Sequence, residues 1–150
     1  MGPIFVSHTE KDLPVVNEII NGLEEAGYKT WYFERDTVPG TSYLIQIAEA
    51  IERCSAVLLI ISSQSIGSNQ VTKEVVNAFE KRKPFFPLLV DMTPPEFKEK
   101  QREWGHALGG TAMVCIGPKG VHECIANIIE GLKAQGIQPD LVPTRIAEPV

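Results

Sequence analysis

Long apolar runs are missing from this chain. Nothing in it approaches the ~20 consecutive apolar residues of a membrane-spanning helix, so no membrane association is expected. Residues 3–7 are too short for the apolar centre of a signal peptide, and none is expected. Cysteine is scarce. Cys54, Cys115 and Cys124 are odd in number, widely spaced and set in apolar stretches, with no Cys-x-x-Cys pair. That pattern argues against a disulfide framework and a zinc site, and predicts reduced, buried thiols in a cytoplasmic protein. Basic runs are short as well. Fourteen Lys and Arg stand against nineteen Asp and Glu, a net charge of −5. The longest run, Lys81-Arg82-Lys83, reads as the basic end of a helix. Direct nucleic-acid binding is not expected from such an acidic chain. Neither Gly-x-x-x-x-Gly-Lys-Ser/Thr nor Gly-x-Gly-x-x-Gly occurs, so the two common phosphate loops are excluded. His8, His106 and His122 have no metal-ligand spacing, and no metal or cofactor is expected. Ser7 and His8 are adjacent on a strand and point to opposite faces, so they do not form a hydrolase pair.

What the chain does contain is a regular alternation of two periodicities. Its 150 residues are the size of one domain, and 43% hydrophobic with 22% charged residues excludes disorder. Ile4-Phe5-Val6-Ser7 reads as a buried strand, with Thr9 and Asp12 offering caps to the helix that follows. In that helix Leu13, Val16, Ile20 and Leu23 share a face, and Gly27 ends it. Residues 28–33 are aromatic and β-prone. Residues 34–42 form a loop with a Pro39-Gly40 turn, and Leu44, Ile47, Ala48 and Ile51 mark a second helix. Residues 56–61 are uniformly apolar, as strands buried on both faces of a parallel sheet are. A polar loop, 62–69, leads to a third helix bearing Val71, Val75, Ala78 and Phe79. Strands follow at 85–90 and 111–116, separated by a breaker at 92–95 and one amphipathic helix with Phe97, Gln101, Trp104 and Leu108. Val121, Ile125, Ile128 and Leu132 define the last helix. The domain is expected to span residues 1–134. Residues 135–150, with three prolines and few apolar residues, read as a linker or tail to further domains of a longer chain.

Five strands alternating with five helices predict a flavodoxin-like α/β three-layer sandwich with a parallel sheet in the order 2-1-3-4-5. In such sheets ligands bind beyond the carboxyl ends of the strands, at the crevice between strands one and three. Ser7 and His8, Ser62 and Ser63, the 34–42 loop and Glu74 all belong to that edge.

Several motifs then resemble those of the Toll/interleukin-1 receptor (TIR) domain, of the bacterial kind. Ile4-Phe5-Val6-Ser7-His8 is similar to the first family box, with His8 where an aromatic is usual. Trp31-Tyr32-Phe33-Glu34, then Arg35-Asp36-Thr37-Val38-Pro39-Gly40, resembles the second box and its BB loop. Residues 55–62 and Ser68-Asn69-Gln70-Val71-Thr72-Lys73-Glu74-Val75 resemble the segment that carries the family's catalytic glutamate. The likeness runs from about Ile4 to Leu132; a third, Phe-Trp box is not evident.

The resemblance implies NAD⁺ as substrate rather than cofactor. The expected activity is cleavage of the nicotinamide–ribose bond to nicotinamide and ADP-ribose or a cyclic isomer, in immune or defence signalling. Glu74 is implied as the catalytic carboxylate, ionised with help from a nearby helix amino end. Ser7, His8, Arg35, Tyr43, Ser62 and Gln70 are the candidate substrate-binding residues. Arg35 has two readings, phosphate contact or pairing with Asp36; Tyr43 or Phe33 could supply an aromatic wall, though Phe33 is rather expected in the core, and Trp31 in packing. Gln70 stands where active members often carry tryptophan. Arg35, Asp36, Val38, Pro39 and Gly40 are implied to join TIR domains into activating self-assemblies. Two other readings stand beside this one: a non-catalytic TIR–TIR interaction module, and, more remotely, a nucleoside deoxyribosyltransferase with a similar sheet.

Overall fold

The uniformly apolar strand predicted at residues 56–61 has no face for water, and the fold gives it none. In a computed structural model that describes residues 1–117 and 120–140, β3 (Ala56–Ile61) is buried along its whole length between two parallel neighbours, β1 (Ile4–Ser7) and β4 (Phe85–Leu89). β2 (Thr30–Trp31) and β5 (Val114–Cys115) form the edges. The five-stranded order is β2-β1-β3-β4-β5 with every pair parallel, the predicted topology. Helices cover both faces. α1 (Leu13–Glu25) and α7 (Val121–Ala134) pack against Ile4, Val6, Leu58 and Ile60. On the other side α3 (Tyr43–Arg53), α4 (Asn69–Glu80), α5 (Pro94–Lys100) and α6 (Arg102–Leu108) cover Phe5, Val57, Leu59 and Ile61. Alternate residues of one strand thus feed two separate cores, as the two-residue period of a strand requires.

Local chemistry accounts for several departures from the sequence reading. β2 stops at Trp31 because the Tyr32 N–H turns to the Asp36 carboxylate at 2.9 Å, which starts a short helix, α2 (Phe33–Asp36), inside the expected loop. β5 is short because β4 contains Pro87. The Leu89 carbonyl accepts from the Ile116 N–H, so odd-numbered residues of β4 face β5, and Pro87 has no N–H to offer there. The expected breaker at 92–95 is a helix start: Thr93 caps α5 in a reciprocal box with Glu96, and Pro94 and Pro95 occupy its first turn. The single helix expected after it is two, broken at Gln101, whose side chain donates to the Ile66 carbonyl at 2.7 Å.

The expected Thr9 and Asp12 caps are not formed; both side chains are turned to other partners. The basic run lies just beyond α4 and serves its neighbour, for Lys83 donates to the Glu52 and Cys54 carbonyls at the end of α3. All three cysteines are free thiols, but Cys115, on the edge strand, is exposed rather than buried. Burial pushes the Cys54 thiol up to about 11, against the pull of Lys83. Trp31 stacks on Phe5 at 5.2 Å, the packing role expected of it.

Residues 135–140 do not leave the domain. Ile137 is buried in the α1–α7 core, its carbonyl accepts from the Tyr28 hydroxyl at 2.8 Å, and the Asp140 N–H reaches the Gly27 carbonyl. Residues 141–150, the rest of the expected tail, lie outside the described residues. Burying one isoleucine and satisfying one tyrosine hydroxyl are together worth roughly 2–4 kcal/mol. Ending the chain after Ala134 rather than after Asp140 should therefore lower unfolding stability by about that amount in urea titrations. Equal midpoints would return the segment to linker status.

Candidate active site

Ser7 is the last residue of β1, fully buried at the carboxyl edge of the sheet. Its hydroxyl donates to Glu74 Oε1 at 2.6 Å. Glu74 comes from α4, whose amino end is fixed by Ser68 accepting from the Val71 N–H. One turn earlier on that helix, Gln70 donates its amide to Glu74 Oε2 at 3.2 Å. Both carboxylate oxygens are thus held, and the side chain forms part of the wall of a cleft of about 390 Å³. That volume lies in the range of small-molecule sites.

Burial pushes the Glu74 carboxyl above its ordinary value of 4.5. The Ser7 and Gln70 donors and the charge of His8 oppose the rise, and Glu34 adds to it. The expected help from a helix amino end is weak, since Glu74 sits in the second turn of α4 and the dipole acts within the first. What favours the anion here is two directed donors, not the dipole.

The rest of the cleft gathers residues from the β1–α1 connection, α2, α3 and the amino end of α4. His8, half out of β1, places Nδ1 3.0 Å from the Val6 carbonyl and Nε2 2.8 Å from Glu34 Oε1. A neutral imidazole donates to one of these oxygens; the doubly protonated ring donates to both. Glu34 belongs to α2, so this contact ties the base of the following loop to the end of β1. Tyr43, at the start of α3, meets Phe33 edge to face at 5.8 Å, and both rings line the cleft. Phe33 is 39% exposed and is not the core residue expected from sequence. As the first residue of α2 it turns outward just where β2 ends.

Ser7 meets the cleft only through Glu74, and two further substrate-binding candidates fall outside it. Ser62 is buried, donating to Asp12 Oδ2 at 2.6 Å and accepting from the Gln64 and Ser65 N–H groups, so its hydroxyl is committed to the loop after β3. Arg35 points away from the cleft. It pairs with Asp36 and Glu24, donates to the Thr30 carbonyl and lies 4.7 Å over the Tyr32 ring. Asp36, then Glu24, hold the guanidinium above its ordinary range despite partial burial. Of its two readings, the structure places it in the loop brace. The loop beyond is secured by Gln46, which donates to the Val38 carbonyl and accepts from the Val38 N–H. Pro39 and Gly40 form its tip, Gly40 in the left-handed region at φ 94°, and Val38 is 61% exposed.

Glu34, Glu10, Thr9, Ile47 and Ser68 also line the cleft and were not singled out from sequence. Only Glu34 carried a signal, its place directly after the second strand. Among the described residues, no group of His, Cys, Asp and Glu side chains is arranged to hold a metal ion, and no helix is long and apolar enough to cross a membrane.

Glu74 gives a stability test that needs no substrate. Its folded-state value is raised, so its burial is least costly below about 4.5, where the carboxyl is neutral in folded and unfolded chains alike. The cost builds as the pH rises above about 4.5, where the unfolded chain ionises first, and is complete above the folded-state titration. Glu74→Gln should thus melt higher than the parent at about pH 8, by a few degrees at ~2–4 °C per kcal/mol, with the gap closing below about pH 4.5. A variant that melts lower at both pH values would show that the carboxylate contributes stability instead.

Known proteins agree with this architecture. A family profile for the TIR domain matches residues 4–112. The TIR domains of the activated Roq1 resistosome, which directly recognises the pathogen effector XopQ, superpose with a TM-score of 0.72 at 18% identity, over 88% of this chain and 99% of that one. The TIR domain of the Toll-related receptor TRR-2 from Hydra magnipapillata gives 0.69 at 20% identity, over 89% and 99%. A metazoan TIR-STING receptor from C. gigas, in complex with 2',3'-cGAMP, gives 0.63 at 20% identity, with 85% of this chain matching 42% of that longer one. With its sheet order, its BB loop and a profile match over most of its length, the chain belongs to the TIR domain family.

Proposed function

We propose that this chain is an NAD⁺ nucleosidase that cleaves the nicotinamide–ribose bond, releasing nicotinamide and ADP-ribose or a cyclic isomer. The observation that carries the reading is Glu74: a carboxylate held by Ser7 and Gln70 in the wall of a cleft of suitable size. The chemistry needs little more. Nicotinamide in NAD⁺ is already cationic and leaves as a neutral base, so no strong acid is required to expel it. The transition state instead gathers positive charge on the ribose as an oxocarbenium-like centre, and a fixed anion beside it lowers the barrier. Low local polarity strengthens that attraction and also makes the unpaired anion expensive, which matches the upward push on Glu74. An arriving cationic substrate supplies the missing partner. Phe33 and Tyr43 offer aromatic surface on the opposite wall, in place of the tryptophan that Gln70 replaces.

The place in defence signalling is supported by kinship, since the Roq1 TIR domains belong to a resistosome that recognises a pathogen effector. Free thiols at Cys54, Cys115 and Cys124 fit a cytoplasmic setting. A non-catalytic interaction role has its own support. Val38 at the loop, with Leu44 and Ile45 on α3, leaves apolar side chains exposed beside the cleft. We assign these to self-association with other TIR domains, and both roles then meet in one loop.

Incubation with NAD⁺, with products separated by chromatography, should release nicotinamide from the parent chain. Glu74→Gln should lower the rate by about 10²-fold or more, with unchanged circular dichroism. An unaltered rate in that variant removes Glu74 from the mechanism, and the absence of nicotinamide release at any concentration leaves only the interaction role.

If docking completes the site, specific activity should climb across roughly a hundred-fold rise in protein concentration, as expected when a weak contact saturates. Val38→Asp should flatten that climb without lowering the melting temperature, because Val38 is exposed. A flat profile in the parent chain would make the loop a turn and nothing more.

A further inference from the structure

The cleft is lopsided in charge. Glu10, Glu34 and Glu74 line it, and His8 is the only basic side chain among its described lining residues. A dinucleotide that carries a pyridinium at one end and a pyrophosphate in its middle presents opposite charges to such a site. The acidic cleft attracts the first and repels the second. The pyrophosphate therefore needs another place, and one adjoins. Ile47, Gln70 and Glu74 line both the cleft and a smaller cavity of about 100 Å³ between α3 and α4. Its apolar floor comes from Leu44, Ala48 and Ile51, and its single cation is Lys73. Lys73 lines only the smaller cavity, while Glu74 borders both, so the smaller one sets one cation against one carboxylate where the cleft gathers three. Lys73 is exposed and makes no ion pair among the described residues. Lys81, eight residues further on, is committed to Glu52 at 2.8 Å.

We infer that Lys73 is a substrate-positioning residue: it receives the pyrophosphate of a dinucleotide whose cationic end lies at Glu74, with Gln70 as the divide between the two. The inference rests on the proposed hydrolase reading, and it fixes the direction in which substrate lies, from the cleft toward α3 and α4.

The test compares two substrates that share the scissile bond. NAD⁺ has the pyrophosphate; nicotinamide riboside lacks it. In Lys73→Ala the ratio of kcat/KM for NAD⁺ to that for nicotinamide riboside should fall about tenfold, through KM, as for loss of one charge-assisted contact. Lys73→Arg should restore the ratio, and the deficit should shrink in high salt. Exposure of Lys73 makes misfolding an improbable cause, and a melting curve checks it. An unchanged ratio overturns the inference. A second measurement is independent of turnover: binding of ADP-ribose, followed by NMR titration, should weaken about tenfold in Lys73→Ala. If the parent chain releases no nicotinamide, the hydrolase reading falls and this titration alone decides. Weakening upholds Lys73 as a phosphate contact; equal affinity, or no binding to the parent chain, overturns it.

Discussion

The hydrogen bond from Ser7 to Glu74 joins the end of β1 to α4 and fixes where the site can be. Few other contacts in the fold link a fully buried strand residue to a titratable group. Ser7 lies opposite Leu59 of β3 and is fully buried, so its backbone is already ordered when the hydroxyl donates. The cleft, the orientation of Gln70 and the separation between the two cavities all follow from where this contact places the carboxylate. A structural glutamate would more cheaply sit outside the sheet in water. Holding one inside, against the upward push of burial, is the kind of local cost that functional sites carry.

A second constraint acts on the loop that borders the cleft. Three separate devices hold it: Glu34 against His8 at its base, Asp36 with Arg35 and Tyr32 at the end of β2, and Gln46 across its middle. Only Pro39 and Gly40, at the tip, make no hydrogen bond with a side chain among the described residues. The loop is thus a stiff arm with an apolar end, and the stiffness comes from polar residues whose individual surface pairs contribute little. Their effect lies in geometry: each of them removes a way for the loop to move.

Much of this was legible in the sequence, and the parts that were not have physical causes. The parallel sheet followed from the uniformly apolar 56–61 run and the alternation of periods, because such runs survive only when buried on both faces, and its order was expected as the commonest for five such strands. Ser7, His8 and Glu74 stood out by their places after strands and on a helix, Tyr43 and Gln70 only through the family resemblance, and all but buried Ser7 line the cleft directly. Arg35 had two readings, of which the pairing with Asp36 is the one observed, and the Ser62 hydroxyl is committed to its own loop; a polar side chain at a strand end suits either task, and sequence does not say which partner lies closer. Phe33 was misjudged because aromatic residues next to a strand normally pack inward, whereas the chain had already turned into α2. The length of β5 was hidden in Pro87, whose effect depends on which neighbour its missing N–H faces. The pairing of Ile137 with Tyr28 spans most of the chain and has no local signature at all.

Short edges have a further consequence. Both outer strands, β2 and β5, offer only two residues each, and Pro87 prevents the partner from lengthening one of them. A sheet with such edges presents almost no backbone ladder for a foreign strand to extend, which protects the chain against runaway β-aggregation. It also narrows how copies of this domain can join without becoming insoluble. Any assembly must be built from side chains on helices and loops, contacts that come apart again when the protein is diluted, and a device of that sort can be switched off as well as on.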